Sequence, residues 1–283
     1  MIILRSAEQL HRLIKDGSLT ADDEIEIVFD GLLIEADVNC TNLYSKFGIN
    51  VKGTITVEKD IYAQTGNIVA TGSIISKHGK IIAQEGKIFA EEGKIVAEEG
   101  SIIAKKDIFS FEKIEAGEGI VTKGGIAALG RIFAKNGNIF SEEDILSDQG
   151  YIAASGHIIS MGGDIIAKAD ICSQNGDINA SGNIITKEES LIAKKGGIAS
   201  EKGNIFAKLN IQTDGDVSAK EGSIIAGKGN IISKKGNIFA RLNIQTDGDV
   251  SAKEGTITAG KGYVFTKGTG DSADFEEKTK KHE

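Results

Sequence analysis

Apolar and polar positions recur in one short phrase, plainest in GKIIAQEGKIFAEEGKIVAEEGSIIAKK at residues 79–106. The order is Gly, polar, Ile, apolar, Ala, polar, polar. A period of seven ordinarily suggests a coiled coil, yet a helix carrying Gly79, Gly86, Gly93 and Gly100 would lose about 1 kcal/mol at each relative to Ala. Steps of six between residues 102 and 132 would also break a heptad register. With the first apolar residue of each phrase as position 0, 33 units run from Ile55 to Val264, every step being 6 or 7 residues. Position 0 is always Ile, Val or Leu. Position +2 is Ala, Ser or Thr in every unit except at Val57, and position −2 is Gly in 24 units.

In an extended strand, positions 0 and +2 share one face while −1 and +1 share the other. The −1 residue is mostly Lys, Asn, Asp or Ser, so its face is expected to meet water. The 0 and +2 face, a large branched residue followed by a small one, is then the interior. Gly at −2 marks a bend that needs either φ > 0 or a close backbone approach. A short strand, a corner and another strand every 6 or 7 residues describe an all-β fold: a single parallel β-helix, or β-solenoid. Three units per coil give about 19–20 residues per coil, about 11 coils and a rod on the order of 50 Å. One unit cannot fold alone. Ordering each residue costs about 1–2 kcal/mol, whereas burying its single Ile returns about 1.5–3 kcal/mol, so each unit depends on the coils above and below.

Residues 203–229 recur almost verbatim at 236–262, an offset of 33 residues or five units. That is not a whole number of three-unit coils. Either units are interchangeable between faces, the preferred reading, or the coil is not a simple triangle.

The ends differ from the middle. Residues 1–50 read as a small α+β cap. Ser6 and Gln9 form a capping box for a helix over 7–15, ended by Gly17. EIEIVF and LLIEADVNC follow as alternating strands, with Leu32, Ile34, Ala36, Val38 and Cys40 hinting that the solenoid starts before residue 51. Residues 51–267 form the solenoid proper. The segment 268–283 lacks periodicity and is expected to be a disordered tail, leaving the C-terminal end without a cap.

Composition narrows the setting. The chain has 283 residues, 36 Gly, no Pro, no Trp and a net charge of −8. The acidic balance argues against binding phosphate backbones of nucleic acid. Cys40 and Cys172 lie far apart and do not suggest a disulfide framework. No apolar run reaches membrane-spanning length and no signal peptide is evident. A soluble, cytoplasmic protein is the expectation.

Candidate chemistry is sparse. With no step above seven residues there is no loop from which to build a catalytic cleft, so no enzyme, cofactor or metal is expected. His78 and His157 read as solvated surface histidines. The TDGDV motifs at 213–217 and 246–250 read as Asp-Gly turns rather than calcium sites. Outward Thr54, Thr56, Thr256 and Thr258 are too few for an ice-binding ladder. One outward feature stands apart. Val69, Phe89, Phe109, Leu146, Ile166, Ile185, Phe206, Ile225 and Phe265 occupy +1 of every third unit, interrupted only by Ala127 and Gln245. In a three-sided coil they form an apolar stripe along one face, a candidate association surface. The competing reading is that strands favour such residues generally, since Ile82, Ile103, Phe140, Ile75 and Phe133 lie on the other faces.

The run of GNI and GDI phrases in short arcs without loops resembles bactofilins, polymer-forming bacterial β-helix proteins. The resemblance covers roughly residues 50–265. It implies a nucleotide-independent filament former whose subunits join through their open ends. This chain is longer than the usual single domain and has a structured head in place of a Pro-rich tail, a head that could block one end. The expected function is thus a self-assembling structural scaffold, cytoskeletal in kind, whose partner is itself. The alternative is a module that binds another protein or surface through the stripe, or forms part of a fibre.

Overall fold

A computed structural model describes residues 1–267; the segment expected to be a disordered tail lies outside the described residues. Three parallel sheets of 14, 13 and 13 strands form the three faces of a single β-solenoid. The first face starts at Ile2–Leu4, the second at Ser18–Thr20 and the third at Leu33–Ile34. From Ile55 onward each strand is the three-residue core of one unit, and each pairs with the strands three units before and after it. The stack runs longer than the periodic units suggested, because the irregular first 50 residues already supply rungs: Ile2 pairs with Ile25 and Ile25 with Leu43.

Position 0 is the interior, as the alternation requires. Ile81, Ile88, Ile95, Ile102 and Ile108 are wholly buried, and Ala83, Ala90 and Ala97 beside them likewise. Residues of one type stack: Ile81 lies over Ile61 and under Ile102, Ala83 over Ala63 and under Ala104. Where +2 is Ser, the buried hydroxyl donates to a turn carbonyl of the preceding coil, as from Ser110 to Gly93 at 2.8 Å and Ser147 to Gly130 at 2.8 Å. A hydroxyl satisfied in this way costs little inside the core, which is why Ala and Ser interchange at this position.

Of the two reasons offered for Gly at −2, close approach is the correct one. Only Gly17 and Gly31 have positive φ among the glycines described. A Cβ on Gly100 would instead lie inside van der Waals distance of the Gly79 carbonyl oxygen and 2.6 Å from its carbon. The corners of successive coils touch backbone to backbone.

The −1 position is not simply a wetted face. Its Asp, Asn and Ser side chains turn along the rod axis and accept the backbone N–H of the −1 residue one coil on. On the third face the N–H of Asp164 donates to Asp144 Oδ1 (2.7 Å), that of Asn183 to Asp164 (2.6 Å), that of Asn204 to Asn183 (2.9 Å) and that of Ser223 to Asn204 (2.8 Å). The second face carries a similar ladder from Asp170 through Ser190, Asn210 and Asn230 to Asp249. These bonds satisfy corner amides that the strand ladders leave over.

The helix spans Ala7–Leu13, two residues shorter than the sequence suggested. Its N-cap is Ser6, which accepts from Gln9 N at 3.3 Å, but the Gln9 side chain reaches back to the N–H of Arg5 rather than of Ser6. Lys15 leaves the helix because it exchanges two backbone hydrogen bonds of 2.9 Å with Ser18 across a turn in which Asp16 and Gly17 both have positive φ. Leu10 is wholly buried, and Leu13 and Ile14 pack on the core, so the helix seals the N-terminal end of the solenoid.

The near-verbatim segments settle how units relate to faces. Ile205–Ala207 lies on the third face and its counterpart Ile238–Ala240 on the first; Ile211–Thr213 lies on the second and Ile244–Thr246 on the third. Units are interchangeable, and five units of offset turn the pattern by one face.

Candidate association surface

Strand register places the apolar +1 residues in a single column on the third face. Val69 pairs with Phe89, Phe89 with Phe109, Phe109 with Ala127, Ala127 with Leu146, and so on through Ile225. Gln245 then stands between Ile225 and Phe265. The eight sequence-predicted residues from Val69 to Ile225 are thus brought together, while Phe265 lies in the same column but is set apart by Gln245. Those from Val69 to Ile225 are half-buried, since each is flanked by the neighbours above and below, and Phe265 at the end of the column is exposed. The Phe89 and Phe109 rings lie 5.3 Å apart, Phe111 meets Phe109 edge-on at 5.0 Å, and the Lys87 ammonium sits 5.2 Å from the Phe89 ring centre. Ala127 leaves a notch of about 350 Å³ between Phe109 and Leu146.

The rotated repeat explains why the column falters. Gln212 faces outward on the second face, and its counterpart five units on is Gln245, delivered onto the third. Phe206 belongs to the column, whereas its counterpart Phe239 is carried to the first face, where it is exposed. The continuous stripe therefore runs from Val69 to Ile225.

A second candidate surface is the C-terminal end itself. Val250, Ile257 and Val264 hold position 0 in the last strand of each face, yet remain only partly buried, unlike their counterparts in the preceding coils. In those coils the position-0 N–H donates onward, as from Ile231 to Asp249 O and from Ile244 to Tyr263 O. At Val250, Ile257 and Val264 no further coil exists among the described residues to accept it. Asp249 is the last member of the second-face ladder among the described residues, and its buried Oδ1 accepts a hydrogen bond from none of them. Leu242 and Tyr263 add exposed apolar surface close by.

Elsewhere polar groups are engaged locally. Asp214 pairs with Lys234 and Asp247 with Lys267, each at 2.9 Å, and Asp216 accepts the Asn237 N–H at 2.6 Å. His78 Nδ1 lies 3.1 Å from Glu99 at an exposed corner, and His157 Nδ1 accepts the Asp177 N–H at 2.9 Å. Glu115, overlooked in the sequence, sits between Lys113 and Arg131; burial works to raise its carboxyl, but the two cations hold it below the usual range. Both cysteines are free; burial pushes the Cys40 thiol up to about 12 and raises that of Cys172. Among the described residues no group of three His, Cys, Asp or Glu is placed to hold a metal ion, and no helix is long and apolar enough to cross a membrane.

No family model, no curated protein and no solved structure matches the chain. The fold alone therefore defines its class: a three-faced parallel β-solenoid with a short helix at its N-terminal end.

Proposed function

We propose that this chain is a non-catalytic structural rod that joins a second copy of itself through its C-terminal end, as the resemblance to bactofilins would imply. The observation that carries this is the contrast between the ends. The N-terminal end is sealed by the helix with Leu10 wholly buried, while at the last described coil Val250, Ile257 and Val264 are only partly buried and their N–H groups bond to no described residue. An open parallel edge is a template for another strand. Two such ends brought together by a two-fold axis pair antiparallel, and the contact is isologous and self-limiting. The non-catalytic reading rests on the turns between strands, which among the described residues are too short to build a cleft, and on the many Asp and Asn side chains engaged in ladders and ion pairs.

Val264→Pro combined with Ile257→Lys tests this. Proline removes an N–H that bonds to no described residue, and lysine sets a charge over the exposed core end. Sedimentation equilibrium should show end-joining weakened by at least about tenfold, with the thermal melt of the monomer nearly unchanged. Unaltered association would remove the C-terminal end as the contact.

A further inference from the structure

We infer that the stripe on the third face is a second, lateral contact, taken by another copy of this chain lying antiparallel. This does not depend on the joining of ends.

The stripe from Val69 to Ile225 covers nine coils, about 40 Å at ~4.8 Å per coil. With a width of about 12 Å it offers roughly 500 Å² per copy, or about 1,000 Å² per pair, the lower bound for a specific contact. A hydrophobic partner is called for, and the flanking charges specify which. Three residues after each position 0, along the edge of the stripe, stand Thr71, Glu91, Phe111, Leu129 and Asp148 in the N-terminal half, and Lys168, Lys187, Lys208 and Gly227 in the C-terminal half. Phe111 and Leu129 are among the few exposed large apolar residues, at 48% and 38%. The edge is acidic and apolar in one half and basic in the other. Such a gradient is complementary to itself when reversed.

A two-fold axis along the strand direction, between the coils of Leu146 and Ile166, keeps this edge against the same edge of the partner and reverses its order. Each coil before the axis then meets one after it. Asp148 faces Lys168 of the other copy, Leu129 faces the stem of Lys187, and Phe111 presents its ring to Lys208. Glu92, one residue further into the corner, meets Lys228. In the stripe itself Phe109 meets Phe206, and the notch over Ala127, about 350 Å³, receives Ile185. On the opposite edge Asp144 meets Asp164, a like pair whose carboxylates are each held by a backbone amide. A parallel pairing brings Lys168 to Asp164 and Glu91 to Lys87, but it sets Asp148 against Asp144 twice, faces Lys187 and Lys208 with Asn183 and Asn204, and lays the Phe111 ring against Asp107 instead of a lysine. The axis lies near the middle of the rod. The pair therefore carries one open C-terminal end near each of its ends, so that a subunit with a single open end becomes a block able to extend in both directions.

The test uses the full chain with the end-blocking Val264→Pro and Ile257→Lys changes, so that only lateral pairing is read. That protein should sediment as a dimer at high concentration; a monomer at every concentration overturns the proposal. Glu92→Lys should weaken the dimer about tenfold, since the clash is made twice per pair. Adding Lys228→Glu to the same chain should restore it to within about threefold. Residues 92 and 228 are seven coils, about 34 Å, apart within one chain, so only a reversed partner can couple them. Failure of the second change to restore association overturns the antiparallel arrangement. Phe109→Lys with Phe206→Lys should abolish the dimer while leaving the far-ultraviolet dichroism intact, and survival of the dimer removes the stripe as the contact.

Discussion

Gly100→Val is expected to destabilise the rod by about 3–5 kcal/mol and to split its thermal unfolding into two transitions. The added Cβ meets the Gly79 carbonyl, which is backbone and cannot swing aside as a side-chain tip could. The corner must move outward, and the coils above and below position 102 lose hydrogen bonds on all three faces. Coils in a solenoid touch only their neighbours, so one weak interface divides the stack into segments that melt separately. Gly125→Ala is the control, for its Cβ would have nothing nearer than the Asp144 carbonyl oxygen at 3.4 Å. Calorimetry should show one transition for the control and two for Gly100→Val. A single transition with an unshifted midpoint in the valine variant would mean that the corners are not in contact.

Ile145→Ala should cost about 2–5 kcal/mol, the range for a large-to-small change in a rigid core. Ile145 is wholly buried and held between Ile126 and Ile165 in the same column. Neighbouring coils cannot close on the cavity, because the strand ladder fixes their spacing. The equivalent change at the open end, Val264→Ala, should cost about 1 kcal/mol or less, since that side chain is only partly buried. Urea midpoints of the two variants should therefore differ widely although both remove aliphatic carbon from position 0. Equal losses would contradict the contrast between a closed middle and an exposed end.

Much of the architecture could be read in the sequence, since a fold made of one repeated unit states its rule many times. Position 0 and position +2 declared the interior, and steps of 6 or 7 declared the arc between corners. The regular placement of Phe89, Phe109, Phe206 and their companions on every third unit was enough to foresee the column that the register now shows. Three things were not legible. The ladder from Asp144 to Asn204 was hidden because Asn and Asp before a strand read equally well as hydrophilic turn residues; only the height of one coil shows that each side chain spans to the next amide. The break at Gln245 became intelligible only once the repeat was seen to be turned by one face. The shortening of the helix depended on the paired bonds between Lys15 and Ser18, which no local pattern announced. The difference between the two ends was half legible: the head was visible as a helix, but its sealing of the first coil rests on how Leu10, Leu13 and Ile14 meet the core.

Electron microscopy of the unmodified chain, with particle lengths measured across a concentration series, bears most directly on the joining of ends. A single rod should measure about 60 Å at ~4.8 Å per coil. Rising concentration should bring particles of about 120 Å, and longer ones only where end-joined rods also pair along the stripe, and both should disappear in the Val264→Pro, Ile257→Lys protein. Rods that stay at about 60 Å at every concentration would contradict the proposal that the exposed C-terminal coil is completed by a second copy.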